Sequence, residues 1–178
     1  MAVLLVIAVR LLVPFAIPRW PFWGGVAAII ADTFDFTVLN AAGNGPLGGD
    51  NYQRFDKLFD VYTLFFMLYA SSKLVEARAR KTLSVLFSWR LFGVFLFELT
   101  GIRQILFFTP NIFEYFYLLV FGSKKFRPAL SLENRKTLLT LFIIAAIPKL
   151  IFEYFLHFRE YPLGLGMIWR GLRAWLGV

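Results

Sequence analysis

From Leu83 to Phe121 the chain is apolar and aromatic, with Arg90, Glu98, Arg103 and Glu114 as its only charged residues. Gly101-Ile-Arg-Gln104 divides this stretch into Leu83–Thr100 and Ile105–Phe121. Each half approaches the roughly 20 residues that carry a helix across the hydrocarbon core of a bilayer. A charge at the bilayer centre costs about 2.5–3.5 kcal/mol on insertion scales. The four charges must therefore face the interior of a bundle and meet partners there, and the search for those partners organises the rest of the chain.

Soluble domains are roughly 45–50% apolar and about 25% charged. This chain is 59% hydrophobic and 17% charged over 178 residues, with 22 Phe. A core of this size cannot bury that excess, so lipid has to solvate much of the surface. The expected fold is all-α: a single polytopic membrane helix bundle over residues 1–178, with about six transmembrane helices. The spans read as 2–17, 22–39, 52–74, 83–100, 105–121 and 137–157, or five if residues 2–17 are re-entrant. Arg10 and Pro14 interrupt the first, and Pro148 marks a kink in the last. Asn40–Asp50 is a loop by its Gly, Asn and Pro content. Leu163–Val178, with Trp169 and Trp175 beside Arg170 and Arg173, reads as an interfacial segment. The N-terminus lacks a basic region before its apolar run and is read as a retained segment, not a signal peptide.

Basic residues set the orientation. If 76–81 and 122–136 are connectors on one side, that side also takes Arg19 and Lys73 and holds ten of the 19 Lys and Arg, against Glu76 and Glu133. The positive-inside rule puts these connectors in the cytoplasm and the Gly-rich 40–55 loop outside. The net charge of +8 then reflects an anionic membrane surface and not nucleic acid. With no cysteine and a single His157, disulfides, thiolate metal sites and multi-histidine metal sites are excluded.

Helical spacing then gathers the polar residues at one depth. Asp32 and Asp35 lie one turn apart in the outward half of their span. Asp56 and Asp60 share a face near the start of the next, with Lys57 beside them. Glu98, Arg103, Asn111 and Glu114 belong to the hairpin. Together these residues predict one polar, bundle-facing cavity open to the outside. Crowded aspartates need a cation to compensate them, which makes Asp32, Asp35, Asp56 and Asp60 candidate ligands for Mg2+ or Mn2+. Plainer structural roles exist for several groups. Lys149 and Glu153 form an i, i+4 pair, Arg10 and Arg90 neutralise Glu98, Glu114 or the aspartates, His157 is interfacial, and Pro110-Asn111 starts a helix.

Two resemblances follow from these residues. Asp32-Thr-Phe-Asp35 and Asp56-Lys-Leu-Phe-Asp60 match the carboxylate spacing of CDP-alcohol phosphotransferases, with Phe36 and Tyr52 where that pattern has glycine. That similarity implies aspartates that hold a divalent metal and activate an acceptor hydroxyl. Asp56-Lys-x-x-Asp60-x-Tyr62, Arg90-x-x-Gly-x-x-x-Phe-Glu98-Leu-Thr and Pro-Asn-x-Phe-Glu114-Tyr-Phe resemble an uncharacterised group of small bacterial multi-pass integral membrane proteins. This second resemblance implies the bacterial cytoplasmic (plasma) membrane and no particular activity.

No complete catalytic motif is present: no P-loop, no H-E-x-x-H, no Gly-rich nucleotide fingerprint, and no nucleophile with its base. The leading expectation is therefore a non-enzymatic ligand- or cation-binding bundle, or a subunit of a membrane assembly. Its partners would be the lipid bilayer and a homo-oligomer or partner membrane subunit. The alternatives are a divalent-metal-dependent lipid or polyprenyl-phosphate transferase and a small proton- or cation-coupled transporter using intramembrane carboxylates.

Overall fold

The computed structural model describes residues 2–41, 50–102 and 104–157. Among these residues every regular element is helical and no strand occurs. The elements are α1 (Ala2–Leu12), α2 (Pro21–Ala41), α3 (Asp50–Leu74), α4 (Ala77–Thr100), the short α5 (Gln104–Phe108), α6 (Ile112–Phe126) and α7 (Arg135–His157). Pro14 tightens the end of α1 into a 3-10 turn over Val13–Ala16, as expected where proline removes a backbone donor. In α7, Pro148 is held within the helix.

Apart from α5 and α6, consecutive helices pack as neighbours, α5 packs on α7, and α6 also meets α2, α3 and α4. It is the hub of the bundle because it carries the largest buried side chains: Phe113, Phe116, Tyr117 and Val120 are fully buried. Leu64 and Met67 of α3, Leu83 of α4 and Ala145 of α7 close around them. The outside carries many large apolar side chains. Leu4, Phe15, Phe65, Phe95, Phe108 and Ile151 are all more than half exposed, within a much longer set of exposed large apolar residues. Among the described residues two helical stretches, Ala77–Thr100 and Gln104–Phe126, are long and apolar enough to cross a membrane, and Val3–Ala16 is apolar but shorter.

Three boundaries differ from the sequence reading. The basic run expected as a connector over 76–81 is instead the first turns of α4, leaving only Val75 and Glu76 between helices. Ala77, Arg78, Ala79, Arg80 and Lys81 are good helix formers, and Ala79 is fully buried, so the run packs as helix. The connector expected over 122–136 shrinks to residues 127–134, because α6 extends to Phe126 and α7 begins at Arg135. The span expected to be continuous over 105–121 is broken at Thr109-Pro110-Asn111 into α5 and α6. Pro110 has no N–H and disfavours helical geometry at the residue before it.

The turn at Gly101 matches its sequence. Gly101 ends α4 in the left-handed region at φ 70°, and its N–H reaches Phe97 O at 2.8 Å. The loop over 42–49, Arg103 and the tail over 158–178 lie outside the described residues, as do the side chains of Glu153 and His157.

Candidate functional site: a charged layer inside the bundle

The polar residues meet because antiparallel helices carry them to one height. A helix rises about 1.5 Å per residue. Counted from the end where Pro21, Leu74, Ala77, Phe126 and Arg135 stand, Asp35, Asp60, Arg90, Glu114 and Lys149 lie about 18–21 Å along their helices. Below this layer, toward the basic end, the interior is the apolar packing around Phe116, Tyr117 and Val120.

Arg10 is the centre of the layer's α1–α2–α3 side. Its side chain is 3% exposed. One guanidinium nitrogen, Nη1, pairs with Asp32 Oδ1 and lies 3.4 Å from Asp35 Oδ2. The other, Nη2, reaches Asp60 Oδ1 at 3.2 Å, Asp56 Oδ1 at 3.5 Å and the Asp56 carbonyl at 3.4 Å. The planar fork thereby bridges carboxylates of α2 and α3 that are 21 or more residues apart in sequence, a geometry lysine cannot reproduce. Lys57 completes the set from the α3 side, donating to Asp56 Oδ2 at 2.7 Å and Asp60 Oδ2 at 3.0 Å. Phe59 covers the guanidinium face at 5.7 Å, and the Tyr62 hydroxyl donates to Leu11 O at 3.1 Å, tying α3 to the end of α1.

The hairpin supplies the opposite side. Arg90, 2% exposed, donates from Nη1 to Thr109 O at 2.9 Å. Beside it Trp89 Nε1 donates to Phe108 O at 3.2 Å. These two bonds satisfy carbonyls that the break at Pro110 leaves without helical partners, as buried backbone requires. Gly93 allows the approach, since a Cβ there would stand 1.7 Å from Thr109 Oγ1. Past the break, the buried Asn111 amide hydrogen-bonds the Glu114 carboxylate in the first turn of α6. Its Oδ1 has no partner among the described residues. Lys149, Asp60 and Arg90 all act electrostatically on Glu114, and Arg90 also acts on Lys57 and Asp60. The aspartate cluster and the hairpin are thus one electrostatic unit.

The sequence-predicted residues are distributed as follows. Asp32, Asp35, Asp56, Lys57 and Asp60 converge on Arg10. Asn111 and Glu114 adjoin Arg90, and half-buried Glu98 stands two turns further along α4 toward its outer end. Arg103 lies outside the described residues. Lys149 places its ammonium 5.3 Å from the Tyr115 ring centre, while the Glu153 side chain of the expected pair is outside the described set. The sequence reading gives Arg10 a neutralising role toward Glu98, Glu114 or the aspartates, and the structure selects the aspartates and makes Arg10 their centre. An arginine inside an otherwise apolar helix facing paired aspartates on the next two was the available signal.

Carboxylate oxygens of Asp32, Asp35 and Asp56 lie within 4.8 Å of one another, a spacing from which one ion could draw ligands. Arg10 lies among those same carboxylates, so guanidinium and metal compete for the same oxygens. Among the described residues, five carboxylates of the layer (Asp32, Asp35, Asp56, Asp60 and Glu114) face four cations (Arg10, Lys57, Arg90 and Lys149).

Among the described residues, fold and layer together define an all-helical bundle with two helical stretches apolar enough to cross a membrane and a largely buried charged layer within it. No protein-family model matches the chain, and no curated protein or solved structure is significantly similar to it.

Proposed function

We propose that this chain is an integral protein of the bacterial cytoplasmic membrane whose six spans enclose a cation-binding site. The spans are α1 with its 3-10 turn, α2, α3, α4, α5 with α6, and α7. α2 carries only Asp32 and Asp35, and α7 beyond its first turn only Lys149 and Glu153, in otherwise apolar runs; charges of α2, α3 and α7 act on partners inside the layer. A helix whose charges are neutralised inside the bundle presents lipid with apolar residues only.

The observation that carries the reading is the excess of carboxylates over cations among the described residues of the layer. Buried charge without compensation is unstable in a low-dielectric interior. A small cation, exchangeable with protons, supplies the missing positive charge. The layer lies beyond the midplane of a core about 30 Å thick when counted from the basic end. With the basic residues cytoplasmic, ions reach it from the outside. The apolar packing around α6 separates it from the cytoplasmic end, which favours a binding protein over a conduit. A metal-dependent lipid or polyprenyl-phosphate transferase using Mg2+ or Mn2+ is the second reading. It is supported by the close approach of Asp32, Asp35 and Asp56, and requires Arg10 to move aside.

The test is thermal unfolding of the detergent-solubilised protein in chlorides of Na+, K+, Mg2+, Mn2+ and Ca2+ at matched ionic strength, with tetramethylammonium as the excluded control. At least one cation raises the midpoint, and Asp35→Asn removes that rise. Equal midpoints in every salt, from mildly acidic to mildly alkaline pH, refute the cation site. Orientation is tested separately. The chain has no cysteine, so single cysteines at Asn44 and Lys125 report cleanly: Asn44→Cys is labelled from outside the cell, and Lys125→Cys only after permeabilisation.

A further inference from the structure

We infer that the corner where α2 meets α6, at the basic end of the bundle, binds the phosphate of an anionic phospholipid headgroup. This rests on the membrane reading above and adds a specific lipid site to it. Gly122 lets the Phe22 ring lie against α6, since a Cβ there would already stand 3.2 Å from it. Phe22 then packs edge-on to both Trp23, at 5.0 Å, and Phe126, at 5.3 Å. On this aromatic base Lys125 holds its ammonium 5.2 Å from the Trp23 ring centre and 5.9 Å from that of Phe126. Arg19 lies 5.3 Å from the ring centre of Trp20 in the adjoining turn.

Two features make this corner a lipid site and not merely a solvated charged end. First, its cations are uncompensated. The two carboxylates at that end are taken by others: Glu76 pairs with Lys124 at 3.3 Å, and Glu133 pairs with Arg78. Lys124 also donates to Leu74 O at 2.7 Å. Among the described residues, Arg19 and Lys125 have no carboxylate partner. Second, the aromatic rings beside them are exposed: Trp20 by 56%, Trp23 by 54% and Phe126 by 61%. Indoles prefer the headgroup level of a bilayer, with their apolar body among the chains and their polar edge in water. The Lys125 ammonium, held at that level by cation–π contacts, is positioned for a phosphodiester while the rings take the upper acyl chain, and Arg19 in the adjoining turn adds positive charge. A zwitterionic lipid offers the same chains, but its own cation opposes Arg19 and Lys125.

The test is native mass spectrometry of the full-length protein from detergent micelles carrying phosphatidylglycerol or phosphatidylcholine of identical chains. Phosphatidylglycerol adducts persist to lower lipid concentration, and Lys125→Gln and Arg19→Gln each reduce that preference about fivefold. Lys125→Arg retains it. Both positions are exposed, so unchanged melting temperatures establish that the variants are folded. Equal retention of the two lipids, an undiminished preference in the double Gln variant, or loss of the lipid to millimolar inorganic phosphate overturns the inference. Alkaline carbonate extraction of native membranes separates the underlying reading: release of the protein removes the membrane assignment itself, whereas an embedded protein without lipid preference removes only the lipid site.

Discussion

Replacing Arg10 by methionine is the sharpest perturbation of the charged layer. The side chain is 3% exposed and lies within 3.5 Å of carboxylate oxygens from Asp35, Asp56 and Asp60, besides its pairing with Asp32. Methionine preserves much of the length and removes the charge. Lys57 still serves Asp56 and Asp60, but Asp35, itself 8% exposed, loses a cationic partner in a buried setting. Removing one member of a buried ion pair costs about 3–5 kcal/mol, because the remaining charge is stranded. Arg10→Met should therefore destabilise by about 3–5 kcal/mol in equilibrium unfolding followed by tryptophan fluorescence in mixed micelles. Adding Asp35→Asn should recover part of that loss, since the stranded charge goes with it. Millimolar Ca2+ or Mn2+ should stabilise Arg10→Met more than wild type, because oxygens of Asp32, Asp35 and Asp56 within 4.8 Å of one another then lack their guanidinium. Arg10→Met within about 0.5 kcal/mol of wild type, or a double variant less stable than either single, would refute the view that Arg10 holds α1, α2 and α3 together through these carboxylates.

Other variants examine the hairpin and the hub. Arg90→Met should also cost about 3–5 kcal/mol, having stripped both Thr109 O and Glu114 of a buried cation, whereas Trp89→Phe should cost about 1 kcal/mol for one partly exposed hydrogen bond; similar losses in the same unfolding assay would count against the ranking. Gly93→Ala should destabilise by about 1–3 kcal/mol or more through its overlap with Thr109. Thr109→Ala should not rescue it, because the Thr109 Cβ itself would stand 2.3 Å from the new methyl. Gly101→Ala meets nothing within 4 Å and should cost about 1 kcal/mol for the left-handed backbone alone. Tyr117→Phe removes a 3.1 Å bond to Pro21 O between α6 and α2 and should lower stability by about 0.5–1.5 kcal/mol, measured as a shift in thermal midpoint.

Much of the architecture could be read before any coordinates. The turn at Gly101 was legible because a glycine ending an apolar run is the standard left-handed helix cap. The helical periods of the runs before and after it gave α4 and most of α6. The helix start at Pro110-Asn111 is legible in the sequence, and α6 begins at Ile112, whereas the separation of α5 as its own short helix is not, for a physical reason. Proline at the first position of a helix and proline interrupting a helix look alike in sequence, and only the packing of Arg90 and Gly93 against Thr109 shows that α5 is a separate element. The basic runs were read as connectors because charge signals a solvated loop. Alternating Ala and Arg or Lys let the same residues form helix with Ala79 buried.

The sequence alone determined that the chain is helical, that it carries more apolar residues than a core of its size can bury, and that its charges had to find partners inside. These follow from local periodicity and from the cost of burying charge, neither of which depends on how helices are arranged. Tertiary structure decided which charges meet. Asp32 and Asp35 could have faced any neighbour. They face Arg10 because α1, α2 and α3 pack together and bring residues more than 20 positions apart to one height. Pairing across helices is a property of relative rotation and depth. No run of residues encodes either one locally, and here both were fixed by the packing of α2, α3 and α4 around the buried aromatic face of α6.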